Sequence, residues 1–86
     1  MSVIEIMSQN QTIPLSELQP GARAVVQKVI AKGAIRHRLV EMGFIRGAEL
    51  RVERLAPLGD PMEFALLGYN LSLRKSEAAC VIVEAV

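Results

Sequence analysis

Aromatic residues are scarce in this chain: two phenylalanines, one tyrosine and no tryptophan in 86 residues. A platform for stacking nucleic-acid bases needs several rings, and Phe44, Phe64 and Tyr69 are too few to build one. A surplus of one charge is missing too. Ten Lys and Arg face nine Asp and Glu, a net charge of +1, and the signs are mixed, as in Glu49-Leu50-Arg51-Val52-Glu53-Arg54. Binding to a phosphate backbone draws on excess positive charge that displaces counterions, so no nucleic-acid partner is expected. With one cysteine, Cys80, the chain cannot close an internal disulfide. The longest apolar run, residues 78–83, is six residues, against the ~20 that a spanning helix requires. Residues 1–6 have no positive leader and are broken by Glu5, so no signal peptide is expected. These absences predict a cytoplasmic protein that inserts nothing into a membrane and meets one, if at all, peripherally from the water phase.

What is present is a globular composition, 51% hydrophobic and 22% charged, at a length that fits one domain. At this size only somewhat more than ~60% of the unfolded surface is buried, which leaves no room for an enclosed substrate cavity. Residues 1–11 read as a tail, either flexible or adding an edge strand, and residues 12–86 as the domain. A short apolar segment with one helical turn at Ser16-Glu17-Leu18 ends at Pro20-Gly21, a strong turn signal. Residues 22–30, rich in Val and Ile, predict a strand, with either a bulge or burial on both faces because Val25 and Val26 are adjacent. Ile35, Leu39 and Met42 recur at helical spacing and predict one short helix with an apolar face, ended by Gly43.

Alternation predicts further strands over residues 49–55 (Leu50 and Val52 inward), 62–66, 71–74 and 80–83, with a hairpin turn at Gly68-Tyr69-Asn70. Five short strands, tight turns and one helix predict a mainly β fold, a small five-stranded barrel.

Chemistry-bearing residues are few. The single histidine, His37, lies four residues from Glu41 on the predicted helix, the spacing of a solvated pair. Together they offer two metal ligands at most, where a ferrous site wants a converging set. Cys80 opens an apolar strand and reads as a packed or edge thiol, not a ligand. Six glycines are dispersed singly, with no phosphate-cradling spacing. No catalytic residue, cofactor site or metal site is assigned, and no enzymatic activity is expected. The remaining candidates are for partner binding. Arg36 and Arg38 lie on the helix, Arg46 follows it, and Arg74-Lys75 ends a strand; Arg is suited to bidentate contact with carboxylates. Phe44 and Ile45, just after Gly43, are either core residues or the start of an exposed apolar patch.

Four blocks carry a family resemblance: Leu15-Ser16-Glu17-Leu18-Gln19-Pro20-Gly21; Arg36-His37-Arg38-Leu39-Val40-Glu41-Met42-Gly43-Phe44-Ile45-Arg46-Gly47; Ala56-Pro57-Leu58-Gly59-Asp60-Pro61; and Leu73-Arg74-Lys75-Ser76-Glu77-Ala78. In this order the chain resembles the ferrous iron transport protein A (FeoA) family, small cytoplasmic proteins with an SH3-like barrel. The resemblance implies a partner, the membrane ferrous iron transporter with a GTPase domain (FeoB), and a role in modulating iron uptake through contact. The tail before residue 12 is longer than the family usually carries, which leaves weak self-association open. An alternative is a stand-alone SH3-like regulatory module acting on an iron-dependent transcriptional regulator. Such regulators carry a similar module after a winged helix, and no winged helix precedes the module here.

Overall fold

The computed structural model describes residues 12–86; the expected tail over residues 1–11 lies outside them. The elements are β1 (Thr12–Pro14), a 3-10 turn (Leu15–Glu17), β2 (Arg23–Val29), α1 (Gly33–Met42), β3 (Glu49–Leu55), β4 (Met62–Leu66), β5 (Tyr69–Leu73), α2 (Lys75–Ala78) and β6 (Val81–Ala85). All six strands join one sheet in the order β1-β6-β2-β3-β4-β5, and every pairing is antiparallel. The mainly β class holds, with six strands among the described residues where five were expected. The addition is β1, three residues paired with β6 from Thr12↔Glu84 to Pro14↔Ile82. It is too short, and too interrupted by Pro14, to leave an alternating pattern.

Alternation places the core. In β3, Leu50 and Val52 are buried between the exposed Glu49, Arg51 and Glu53, and in β4 Met62, Phe64 and Leu66 turn inward. The expected irregularity in β2 is a register shift against β6 between Val26 and Lys28. A second shift, in β3 between Val52 and Arg54, adds twist toward barrel curvature. Among the described residues no polar or charged residue is buried, so the interior is held by apolar packing alone. Each large side chain there contributes about 1.5–3 kcal/mol by burial.

The β4–β5 turn sits one residue earlier than expected, at Leu67-Gly68, where φ is 52° at Leu67 and 83° at Gly68. Two positive φ values make a type I′ turn, whose twist matches the flanking strands. Leucine is not a turn residue, which is why the pattern pointed past it. The connection between the strands expected over residues 71–74 and 80–83 is α2, one short helical turn. Asp60 Oδ1 accepts from Lys75 N–H at 2.9 Å and Glu77 Oε1 from Arg74 N–H at 3.0 Å, so two side chains satisfy N–H groups at the start of the helix.

Candidate interaction surface

Helix α1 ends where the sequence requires. Gly43 takes φ 111°; its N–H reaches Val40 O at 3.0 Å, and Phe44 N–H reaches Leu39 O at 3.1 Å. That pair of bonds is a Schellman cap, which turns the chain sharply and drives the following residue back against the helix. Phe44 is the residue so placed. It is 1% exposed and meets Phe64 edge-on, with ring centroids 6.3 Å apart. Of the two readings open for Phe44, the core one holds, and it is withdrawn from the contact candidates because no partner can reach its ring. Ile45, the next residue, points the other way and is 49% exposed.

The helix itself is thinly anchored. Leu39 is its one fully buried residue, Met42 is half-buried and Ile35, expected on the core face, is exposed. Arg36 holds the opposite flank, its Nη1 donating to Val29 O at 2.8 Å. Between α1 and β2 this leaves an open groove. Its sides are Gln27, Lys28 and Val29 of β2 and Arg36 and Val40 of α1, and Phe44, Ile45 and Arg46 close its end. Val40 and Ile45 supply exposed apolar surface. Lys28, Arg36 and Arg46 supply positive charge, and none of the three takes part in an ion pair among the described residues. An apolar strip rimmed by unneutralised cations suits a segment that is apolar on one side and carries carboxylates. Lys28 and Val40 were not singled out from sequence; Val40 carried a signal, being apolar off the Ile35–Leu39–Met42 stripe.

The FeoA domain family model matches residues 13–85. This chain belongs to the FeoA family. A curated FeoA relative, the Fe(2+) transport protein A/Fe(2+) transporter FeoB fusion protein of Porphyromonas gingivalis, is 43% identical over 72 residues, 84% of this chain and 8% of the fusion. The chain thus spans under a tenth of that relative's length. The solution structure of the FeoA-like protein from Clostridium acetobutylicum superposes with a TM-score of 0.84 at 37% identity, covering 91% of each chain. The zinc-complexed FeoA of Stenotrophomonas maltophilia, described as a prokaryotic SH3 domain protein, gives a TM-score of 0.73 at 38% identity, covering 86% of this chain and 89% of that one. The SH3-like fold of the FeoA family is therefore the fold of this chain.

The other basic candidates of this FeoA domain lie apart from the groove's lining, around α2. Arg38 pairs with Glu77, which ties α1 to α2. Arg74 precedes that short helix and Lys75 opens it, their backbone N–H groups satisfied by Glu77 and Asp60. The structure thus divides the candidates into a groove group (Arg36, Ile45, Arg46) and an α2 group (Arg38, Arg74, Lys75), and in the second Arg38 already has a carboxylate partner. His37 and Glu41 form the expected exposed pair at 2.7 Å. Among the described residues no three of His, Cys, Asp or Glu converge as a metal-binding set. No helix among them is long and apolar enough to cross a membrane.

Proposed function

We propose that this chain is an accessory module of ferrous iron uptake that docks on the membrane iron transporter FeoB from the cytoplasmic side and biases the transporter's conformation. One observation carries the reading: in the P. gingivalis relative, a FeoA segment 43% identical to this chain is joined to a FeoB transporter in one polypeptide. A module covalently tied to a transporter works at high effective concentration beside it, and a free module must supply the same proximity by affinity. The groove between α1 and β2 offers the contact. Val40 and Ile45 provide apolar area, and Lys28, Arg36 and Arg46 select a carboxylate-bearing partner segment.

Action by contact sets a limit on the effect. A bound module shifts a two-state partner only by the difference in its affinity for the two states, and such couplings are typically about 1–3 kcal/mol, or 5–150-fold. The test is calorimetric titration of the full chain into detergent-solubilised FeoB, with GDP and with a non-hydrolysable GTP analogue. Binding that differs between the two nucleotide states by about 5-fold or more supports the proposal. No binding in any state refutes it. Binding to an iron-dependent regulator instead would turn the assignment to the regulatory alternative.

A further inference from the structure

Among the described residues the sheet has two ends, β1 and β5, and an unpaired strand at a sheet end is a template for another strand. Proteins guard such edges with brevity, proline, charge or bulges. β1 has two of these guards: it is three residues long and contains Pro14. β5 has none. Residues 64–73, Phe-Ala-Leu-Leu-Gly-Tyr-Asn-Leu-Ser-Leu, contain neither a charge nor a proline, and the β4–β5 register runs without a shift from Met62↔Leu73 to Leu66↔Tyr69.

The turn fixes which backbone groups face outward. A two-residue type I′ turn makes Leu66 and Tyr69 a hydrogen-bonded pair, and the antiparallel alternation then makes Phe64↔Leu71 and Met62↔Leu73 hydrogen-bonded as well. The N–H and C=O of Asn70 and Ser72 therefore point away from β4. Among the described residues neither bonds to a loop or cap. On the core face of the same strand the covering fails progressively: Leu73 is 1% exposed, Leu71 half-buried and Tyr69 67% exposed. One more strand would cover them.

We infer that β5 is the pairing edge for a second copy of this chain, two β5 strands joining antiparallel about a twofold axis through Leu71. In that register Asn70 lies opposite the partner's Ser72, Leu71 opposite the partner's Leu71, and Tyr69 opposite the partner's Leu73. Asn70 and Ser72 are the residues whose backbone groups face outward, so this register forms four backbone hydrogen bonds. It also pairs neutral side chains throughout, with Arg74 opposite the partner's Gly68 and no like charges in register. A symmetric pairing of this kind is closed at two copies. The surface involved is two short strands, well below the ~1,200 Å² of stable complexes, so the dimer is weak and concentration-dependent.

Sedimentation equilibrium of the full chain between about 10 μM and 1 mM, a range that brackets weak association, should show the average mass rising from monomer toward twice that value. Amide exchange at Asn70 and Ser72 should slow over the same range. Charge substitutions test the register without touching the core, because both side chains are exposed. Asn70→Lys with Ser72→Lys sets lysine opposite lysine and should abolish association, whereas Asn70→Lys with Ser72→Glu sets lysine opposite glutamate and should retain it. A wild-type chain still monomeric at 1 mM overturns the inference. So does a dimer indifferent to the double-lysine change, and so does edge protection that does not depend on concentration, which means an occupant from the same chain.

Discussion

Positions 44 and 45 are neighbours in sequence with opposite fates, and substituting each separates folding from binding. Phe44→Ala removes a ring that is 1% exposed and packed edge-on against Phe64. Truncation of a buried Phe costs about 3–5 kcal/mol, and loss of the aromatic pair accounts for about 0.5–1.5 kcal/mol of it. A domain of 86 residues is stable by about 4–13 kcal/mol at 0.05–0.15 kcal/mol per residue. The substitution therefore removes a third of the stability at the upper end of that range and all of it at the lower. Urea unfolding followed by circular dichroism is the assay. With a slope near 1 kcal/mol/M, at the low end for small domains, the midpoint should fall by about 3–5 M. Ile45→Asp, at a side chain 49% exposed, should shift the midpoint by less than about 0.5 M, because surface changes stay within about 0.5 kcal/mol. It should still weaken binding to FeoB at least tenfold by placing a carboxylate beside the apolar strip. A Phe44→Ala chain that loses less than about 1 kcal/mol would refute the core assignment and return Phe44 to the contact surface.

Four further outcomes are expected. Gly43→Ala puts a Cβ 2.8 Å from Leu67 Cδ1 at a backbone φ of 111°; a left-handed conformation costs a non-glycine about 1–2 kcal/mol, read as a drop in melting temperature of about 4–16 °C. Asp60→Ala frees the N–H of Lys75 and should cost about 0.5–2 kcal/mol, as loss of a cap does, with Asp60→Asn recovering most of it in the same urea titration. Lys28→Glu and Arg46→Glu reverse charges outside the ion pairs of the described residues, so transporter affinity should fall and lose its salt dependence while unfolding midpoints stay put. A double-mutant cycle on Arg38 and Glu77, whose side chains are 57% and 19% exposed, should give a coupling below about 1 kcal/mol, marking the pair as a weak tether between the helices.

Sequence patterning was most informative where one face of a strand meets water. β3 and β4 occupy the expected residues, 49–55 and 62–66, because Leu50 and Val52 in one, and Met62, Phe64 and Leu66 in the other, place a buried apolar side chain at every second position. It was least informative where geometry arises from a neighbour. Leu67 adopts φ 52° in a turn whose register the flanking strands fix, and no residue type there announces it. The helix pattern marked Ile35 as buried, yet Leu39 is the one fully covered residue of α1, because shared spacing along a helix does not say how much of its length a neighbour covers. Phe44 looked the same as Ile45 in a string of letters; the cap at Gly43 decides which of them turns inward. The groove was half visible: Arg36, Ile45 and Arg46 followed from the helix and its end, whereas Lys28 joins them only through tertiary packing of β2 against α1.

The pairing of Thr12 with Glu84 has a consequence for how such a domain is wired into larger assemblies. The first described strand and the last lie side by side, so Thr12 and Glu84 sit one strand spacing apart, about 5 Å. A tether leaving from either end starts from the same spot, and a longer polypeptide can receive the whole barrel as a side-loop without stretching. Attachment to a transporter at one terminus, at the other, or by insertion is then the same mechanical problem, and none of the three requires the barrel to rearrange.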